Sequence, residues 1–448
     1  MALKGLDIFK LTPKTNCKEC GSPTCMAFSM KVAQGAVDIS KCPHMSAEAM
    51  ATLSEATAPP MKSIKVGVGD AEYALGGETV LARHEKTFVS KTRFAVNVTP
   101  DMDIEAVLAE ASKVDYDRIG EKMHAEMVYV ACNGDAAAFA EAVKKVTGKG
   151  KTIILDCKDP ESAKAALEIC KAEKPILNGA NASNYEAMVE VAKAAGVVLG
   201  VSGADINELY DTTAAIEKLG YKELVLDTTG ANVKDTFAMT VQVRRACLAK
   251  DPDRTFGYPS IVNLSKVAPD DEAMQIALAS VFVLKYGSII VMDTMNYARA
   301  LPLFGLRQNV FTDPQKPMKV EPGIYPINGG GEDSVVLTTV DFALTYFVVS
   351  GELERSGVPC NLAISDAGGL SVLTSWAAGK LSSTSVSKFI KEEVEPKVKC
   401  RKLIIPGKVA VLKGDIEAKL EGWEVIVAPN EAVQLVKFLK DMQANGEI

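Results

Sequence analysis

Histidine is scarce in this chain: its 448 residues include three, His44, His84 and His124. Everything after residue 124 must therefore work without an imidazole, either as general base or as metal ligand. Long apolar stretches are missing too. No run reaches the roughly 18 residues that span a bilayer, and the opening MALKGLDIFKLTPK lacks the apolar core of a signal peptide. Nor is positive charge in excess. The 50 Lys and Arg against 57 Asp and Glu leave a net charge of −7, which argues against nucleic acid or an anionic membrane surface as partner. The 48% hydrophobic, 24% charged and 6% aromatic residues are ordinary for a globular chain, and its length allows about two to four domains.

The ten cysteines divide unevenly. Six of them, Cys132, Cys157, Cys170, Cys247, Cys360 and Cys400, stand singly in helix- or strand-like segments. They read as small buried hydrophobes in a reduced, cytoplasmic compartment. The other four, Cys17, Cys20, Cys25 and Cys42, have the spacing C-x2-C-x4-C-x16-C, and Pro43 follows the last. Three thiolates so close in sequence wrap one side of an iron–sulfur cube, and a distant fourth closes the other. Gly21 and Pro23 let the loop turn tightly. Structural zinc is an alternative, although it usually takes two separated pairs of ligands. Disulfides are another, disfavoured by the compartment. The spacing favours a [4Fe–4S] cluster, with His44 a surface residue or spare ligand. MAFSMKVAQGAVDIS predicts a short amphipathic helix ending near Gly35. The Ala-rich stretch 46–62, ending in Pro59-Pro60, predicts a helix and then a linker. This defines a first domain, 1–60, with metal as its core.

Eight apolar, β-branched runs then recur every 22 to 37 residues, starting at Phe94, Met127, Thr152, Pro175, Val197, Glu223, Ser260 and Ser288. Segments with helical periodicity separate them. Apolar strands alternating with amphipathic helices predict a parallel sheet, and eight units predict a (β/α)8 TIM barrel over 61–315, with an open doubly wound sheet as the alternative. Segment 64–92 reads as a hairpin closing one end. Polar residues end the strands: Asn97, Asn133, Asp156, Asn178, Ser202, Asp227, Asn263 and Asp293. These either face a site at the barrel's carboxyl end or cap the following helices. No His or Lys constellation is apparent among them, so the barrel reads as a scaffold or docking surface.

Residues 307–333, rich in Pro and Gly, read as a boundary. After it come strands VVLTT, CNLAIS, LIIPG and WEVIVAP, a helix at FALTYFVVSGELERSG, and a final helix capped by Asn430. This predicts a Rossmann- or flavodoxin-like domain over 325–448. Ligands of such sheets bind beyond the strands' carboxyl ends, here Thr338-Thr339, Asp366–Leu370 and Ala428–Asn430. A large polar-edged ligand and a purely structural glycine turn both fit those residues.

The cysteine module, the (β/α)8 pattern and the segment SDAGGLSVLTSW together resemble the large (gamma) subunit family of corrinoid iron–sulfur proteins, methyl carriers of the acetyl-CoA (Wood–Ljungdahl) pathway. RQNVFTDPQ, LVLDTTGA, TFGYPSI and LIIPGKVAVLKG add to the likeness, which covers essentially the whole chain. The resemblance implies a cobalamin-type corrinoid bound by Thr338, Thr339, Thr345, Gly369, Leu370, Ser371, Val372 and Thr374, with Ala432 and Leu435 at the last helix. The D-x-H-x-x-G motif that supplies a cobalt-ligating His in many cobalamin domains is absent here, in keeping with a base-off corrinoid. The implied role is a protein co-substrate. Co(I) takes a methyl group from methyltetrahydrofolate on a methyltetrahydrofolate methyltransferase and passes it to CO dehydrogenase/acetyl-CoA synthase, while the cluster reductively reactivates Co(II). A small barrel subunit, forming a heterodimer, and a reductive activator are the other implied partners. Two alternatives remain: a low-potential iron–sulfur electron-transfer protein, and a barrel methyltransferase using pterin-binding Asp and Asn residues.

Overall fold

The computed structural model describes residues 5–33, 37–46, 48–50, 59–313 and 317–448. The chain divides into two compact units, Met1–Tyr116 with Met123–Phe311, and Asp117–Lys122 with Thr312–Ile448. Among the described residues, no helix is long and apolar enough to cross a membrane.

In the first unit, helices Gly5–Leu11 and Cys25–Ala33 pack together around Ile8, Phe28, Val32, Ile39 and Cys42. The predicted helix end at Gly35 and most of the predicted helix and linker at 46–62 lie outside the described residues. An antiparallel hairpin follows, β1 (Ser63–Val66) and β2 (Tyr73–Gly76). Next come β3 (Arg93–Val98), a short hairpin of β4 (Tyr116–Arg118) and β5 (Glu121–Met123) whose residues Asp117–Lys122 belong to the second unit, and then β6 (Met127–Ala131), β7 (Thr152–Asp156), β8 (Ile176–Ala180), β9 (Val198–Ser202), β10 (Leu224–Asp227), β11 (Ser260–Asn263) and β12 (Ile289–Met292). Strand β3 and strands β6 to β12 close into an eight-stranded parallel barrel, β12 pairing with β3. The predicted closed barrel is the observed one, and the open sheet is excluded.

Side-chain alternation explains the closure. Ala95, Met127, Tyr129, Ile154, Ile176, Val198, Val225, Ile261, Ile289 and Val291 pack inside with Ile64, Val66, Tyr73 and Leu75 of the hairpin. Their neighbours, among them Val96, Val128, Leu155, Leu177, Leu226 and Val262, pack outward against the helices. Asp103, Asp135, Asp159, Asp205 and Asp271 accept amide hydrogens at the starts of those helices, satisfying donors that helices leave unpaired.

The second unit is a five-stranded sheet in the order β13-β15-β14-β16-β17, from β13 (Gly323–Ile327), β14 (Val335–Val340), β15 (Cys360–Ser365), β16 (Lys402–Ile405) and β17 (Glu424–Val427). All neighbours pair parallel except β13, which runs antiparallel to β15. Two cores cover its faces. Val336, Val340, Ala363, Leu403 and Val425 pack with Val386, Ile390 and Ile416 on one side; Leu337, Leu362 and Ile404 pack with Leu353, Leu439 and Met442 on the other. The segment read as a boundary, 307–333, contains β13. This edge position tolerates Pro326, which a central strand would not. The helix Tyr297–Val310 also runs past 307.

Candidate functional site

The predicted cluster ligands sit on a loop and two short helical ends. Cys17 and Cys20 lie in the loop before helix Cys25–Ala33, Cys25 opens that helix, and Cys42 ends the 3-10 turn Ile39–Lys41. Lys14, Asn16, Lys18 and Gly21 have positive φ, which coils the loop tightly. Asn16, which the spacing argument passed over, ties the ends together. Its Oδ1 accepts from the Cys25 amide at 2.8 Å, and its own amide donates to Cys25 Sγ at 3.4 Å. An amide aimed at sulfur suits a thiolate ligand, because such bonds stabilise its charge. Cys25 and Cys42 are buried, whereas Cys17 is exposed. The all-thiol donor set on a tightly coiled loop fits an iron–sulfur cluster. His44 stays beside the loop: its Nε2 lies 3.0 Å from Glu19, and the ligand atoms of Cys17, Glu19 and His44, all exposed, lie within 4.8 Å of one another.

The isolated cysteines behave as expected of buried hydrophobes, with Cys157, Cys170, Cys247 and Cys360 buried and Cys132 and Cys400 half-buried. Burial pushes the Cys170 and Cys247 thiols up to about 12.

A second site forms in the C-terminal sheet. The chain leaves β14 for β15 on one side and later returns to β16 on the other, so the connections diverge between β14 and β16. A crevice opens at such a switch point. The cleft there encloses about 320 Å3. Of the residues singled out for a ligand, Thr338, Thr339, Thr345, Ser371, Val372, Ala432 and Leu435 line it, whereas Gly369, Leu370 and Thr374 do not. Gly369 serves the loop instead: its amide donates to the fully buried Asp341 carboxylate at 3.0 and 3.1 Å, and the Ala367 amide donates to the same group. The Thr374 hydroxyl pairs with Ser371 at 2.9 Å. Asn430 lines the cleft and does not cap the final helix: the residue before Leu435–Ala444 is Gln434, and Glu431 caps the short turn ahead of it.

The cleft floor carries an unexplained feature. Thr338 Oγ1 and Thr339 Oγ1 are buried and have no hydrogen-bond partner among the described residues. Orphaned hydroxyls in a cleft are the mark of a site built for a polar-edged ligand. The surrounding walls are apolar, with Leu344, Val348 and Leu373 exposed at the rim. A ligand with an apolar body and a polar edge would meet both features.

The family model described as CO dehydrogenase/acetyl-CoA synthase delta subunit matches residues 63–439, and a model described as putative Fe-S cluster matches residues 13–44. The corrinoid/iron-sulfur protein large subunit of Moorella thermoacetica is 39% identical over 98% of this chain and 99% of its own. The chain belongs to the corrinoid/iron-sulfur protein large-subunit family. The acetyl-CoA decarbonylase/synthase complex subunit gamma of Methanopyrus kandleri is 33% identical over 98% of this chain and 97% of its own. Among solved structures, dihydropteroate synthase from Thermus thermophilus covers 55% of this chain and 99% of its own at 17% identity, with a TM-score of 0.38.

Within this corrinoid/iron-sulfur family member, the cleft has a wall that the resemblance did not single out. Pro406, Gly407 and Lys408 leave β16 to line it. A Cβ on Gly407 would lie 2.3 Å from the Ala428 carbonyl oxygen, so only glycine permits that approach. The signal was the Pro-Gly pair directly after an apolar strand. Of the eight polar strand ends of the barrel, Asn97 is buried in β3, and the other seven separate into two groups. The Asn133 side chain accepts from the Asp135 amide, Ser202 Oγ donates to the Ala180 carbonyl of β8, and the Asp293 carboxylate accepts from Gln275 Nε2. Asp156, Asn178, Asp227 and Asn263 instead cluster about Tyr129 and Lys266. A lysine therefore does stand at the barrel mouth, contrary to expectation. It comes from the short helix Leu264–Val267 directly after β11, which no strand periodicity marks.

Proposed function

We propose that this chain is the corrinoid- and cluster-bearing large subunit of a methyl carrier. The observation that carries the reading is the likeness, over nearly the full length of both chains, to a protein named corrinoid/iron-sulfur protein large subunit. When bound, a corrinoid supplies a cobalt centre that takes up and gives up methyl groups, and a [4Fe–4S] cluster supplies single electrons. In this reading Cys17, Cys20, Cys25 and Cys42 hold the cluster, with Asn16 orienting Cys25. The corrinoid is held at the C-terminal cleft. There the Thr338 and Thr339 hydroxyls meet its polar edge, Thr345, Ser371, Val372, Ala432 and Leu435 complete the walls, and Gly369, Leu370 and Thr374 shape the loop behind Ser371. No His occurs after residue 124, so the C-terminal unit offers the metal no imidazole, which favours its low oxidation state. Three domains, 1–60, 61–315 and 325–448, with the last a Rossmann- or flavodoxin-like corrinoid domain, belong to the same reading.

The carrier would receive its methyl group from methyltetrahydrofolate through a separate methyltransferase and deliver it to acetyl-CoA synthase. It would pair with a small subunit, as the relatives' names, "large subunit" and "complex subunit gamma", support. The test is Cys20→Ala in corrinoid-loaded, anaerobic protein. The expected variant keeps its corrinoid and loses reductive reactivation. Reactivation at the wild-type rate would contradict the role assigned to the thiol loop.

A further inference from the structure

Two of the six scattered cysteines are neighbours in space. Strands β6 and β7 pair in parallel up to Ala131 and Asp156, and the ladder goes one step further, with the Cys132 amide donating to the Asp156 carbonyl at 2.9 Å. In a parallel pair that bond sets Cys132 beside Cys157. Adjacent strands lie about 4.8 Å apart, inside the span of roughly 4.4–6.8 Å between Cα atoms that a disulfide bridges. The two side chains also share a face. Val130 and Leu155, two residues earlier, pack outward against the helices, and Cys132 and Cys157 join that same cluster, whereas Ala131 packs with the barrel interior.

The pair is asymmetric. Cys157 is 1% exposed and held in place. Its amide donates to the Asn178 carbonyl at 3.0 Å, and its Sγ donates to the Asp159 carbonyl at 3.4 Å. On its other side the backbone of Gly179 comes so close that a Cβ there would lie 2.4 Å from the Cys157 carbonyl oxygen. Burial, chiefly, pushes the Cys157 thiol up to about 12, and Cys132 adds to the rise as a like charge and as a side-chain hydrogen-bond partner. Cys132 is half-buried, just past the end of β6 and next to the exposed residues 133–135. Cys157, protonated and enclosed, is shut off from reagents in solution, and the thiol it meets is that of Cys132.

We propose that Cys132 and Cys157 form an oxidation site, a vicinal dithiol that hydrogen peroxide converts to an intramolecular disulfide. The half-exposed Cys132 sulfur attacks peroxide and the O–O bond breaks. One oxygen stays on Cys132 as a sulfenic acid, and the other leaves as water. The Cys157 sulfur then attacks the Cys132 sulfur. The S–S bond forms as the S–O bond breaks, and the Cys157 proton leaves with the hydroxyl as a second water. The two thiols lose two electrons and peroxide gains them. A dithiol reductant reverses the reaction by exchange. The disulfide keeps Cys132 from the irreversible sulfinic and sulfonic states and staples β6 to β7 just ahead of helices Ala136–Val146 and Pro160–Cys170. The site involves neither the four-thiol loop nor the C-terminal cleft, and it rests on neither cofactor reading.

The test is peptide mapping of the full-length protein after a small excess of hydrogen peroxide, with alkylation in denaturant and trypsin digestion without reductant. The tryptic peptides 123–144 and 152–158 carry Cys132 and Cys157. The expected product is these two peptides joined, at their summed mass less two hydrogens, and separated again by dithiothreitol, while Cys170, Cys247 and Cys360 remain thiols. Cys132→Ser should leave Cys157 a thiol under the same treatment. Cys157→Ala should strand Cys132 as a sulfenic acid, read as about tenfold more dimedone adduct than in wild type. The wild-type map decides the matter alone if Cys157→Ala does not fold. Cys132 left unoxidised, joined to another cysteine, or carried to a sulfinic acid with no joined pair would overturn the proposal, as would wild-type dimedone labelling in folded Cys157→Ala.

Discussion

Burial decides which of the ten thiols are available for chemistry. Burial pushes the Cys157 thiol up to about 12 and the Cys360 thiol to about 11, which leaves them protonated at neutral pH and unreactive. Iodoacetamide at neutral pH, followed by peptide mass mapping of iron-free protein, should label Cys17 and spare Cys157, Cys170, Cys247 and Cys360. A second residue-scale prediction concerns Glu126, which lies 2.6 Å from Arg307 with both side chains 1% exposed, and 3.3 Å from Arg93. Burial would raise the Glu126 carboxyl, but Arg307 and Arg93 overcome that and hold it below its usual 4.5. A depressed folded-state value stabilises the fold above pH 4.5 and loses that contribution as pH falls below it. Glu126→Gln leaves Arg307 buried without its partner and should cost about 3–5 kcal/mol. Thermal unfolding of the variant should also show a flatter acid limb than wild type.

At the scale of elements, strands were readable where burial on both faces made them continuously apolar. MVYVA and TIILD are β6 and β7 to the residue, and CNLAIS is β15. The hairpin β4–β5 escaped notice because YDR and EKM are short and polar, and β13 because Pro326 lowers any strand signal. The polar layer of the barrel was half legible. Asp156, Asn178, Asp227 and Asn263 stood out as strand ends, but an Asn or Asp there equally caps a helix, and Asn263 does both: its side chain also accepts from the Lys266 amide. Only closure of the barrel brings them together. In the C-terminal unit the loop 366–371 depends on Asp341, whose carboxylate accepts from Ala367 and Gly369. Asp341→Ala strands buried amides and should destabilise the unit by about 2–4 kcal/mol, measured by urea unfolding, and weaken corrinoid retention. Gly407→Ala should weaken it as well, because the added Cβ pushes the β16 and β17 ends apart.

For the whole molecule, the family assignment rests on full-length likeness, and the two candidate cofactor sites lie in different compact units. The account therefore expects loss of one cofactor without loss of the other. Cys42→Ser should remove iron and leave corrinoid binding intact, whereas Thr338→Val with Thr339→Val should release corrinoid and leave iron, each checked by metal analysis after gel filtration.

The central claim is that one chain carries both groups. Its most direct test is a UV–visible spectrum of anaerobically purified full-length protein, with iron and cobalt assayed on the same sample. The account predicts about four irons and about one cobalt per chain, with corrinoid bands that change on reduction. Iron without cobalt, even after cobalamin and the small subunit have been supplied, would contradict the claim and leave an electron-transfer protein.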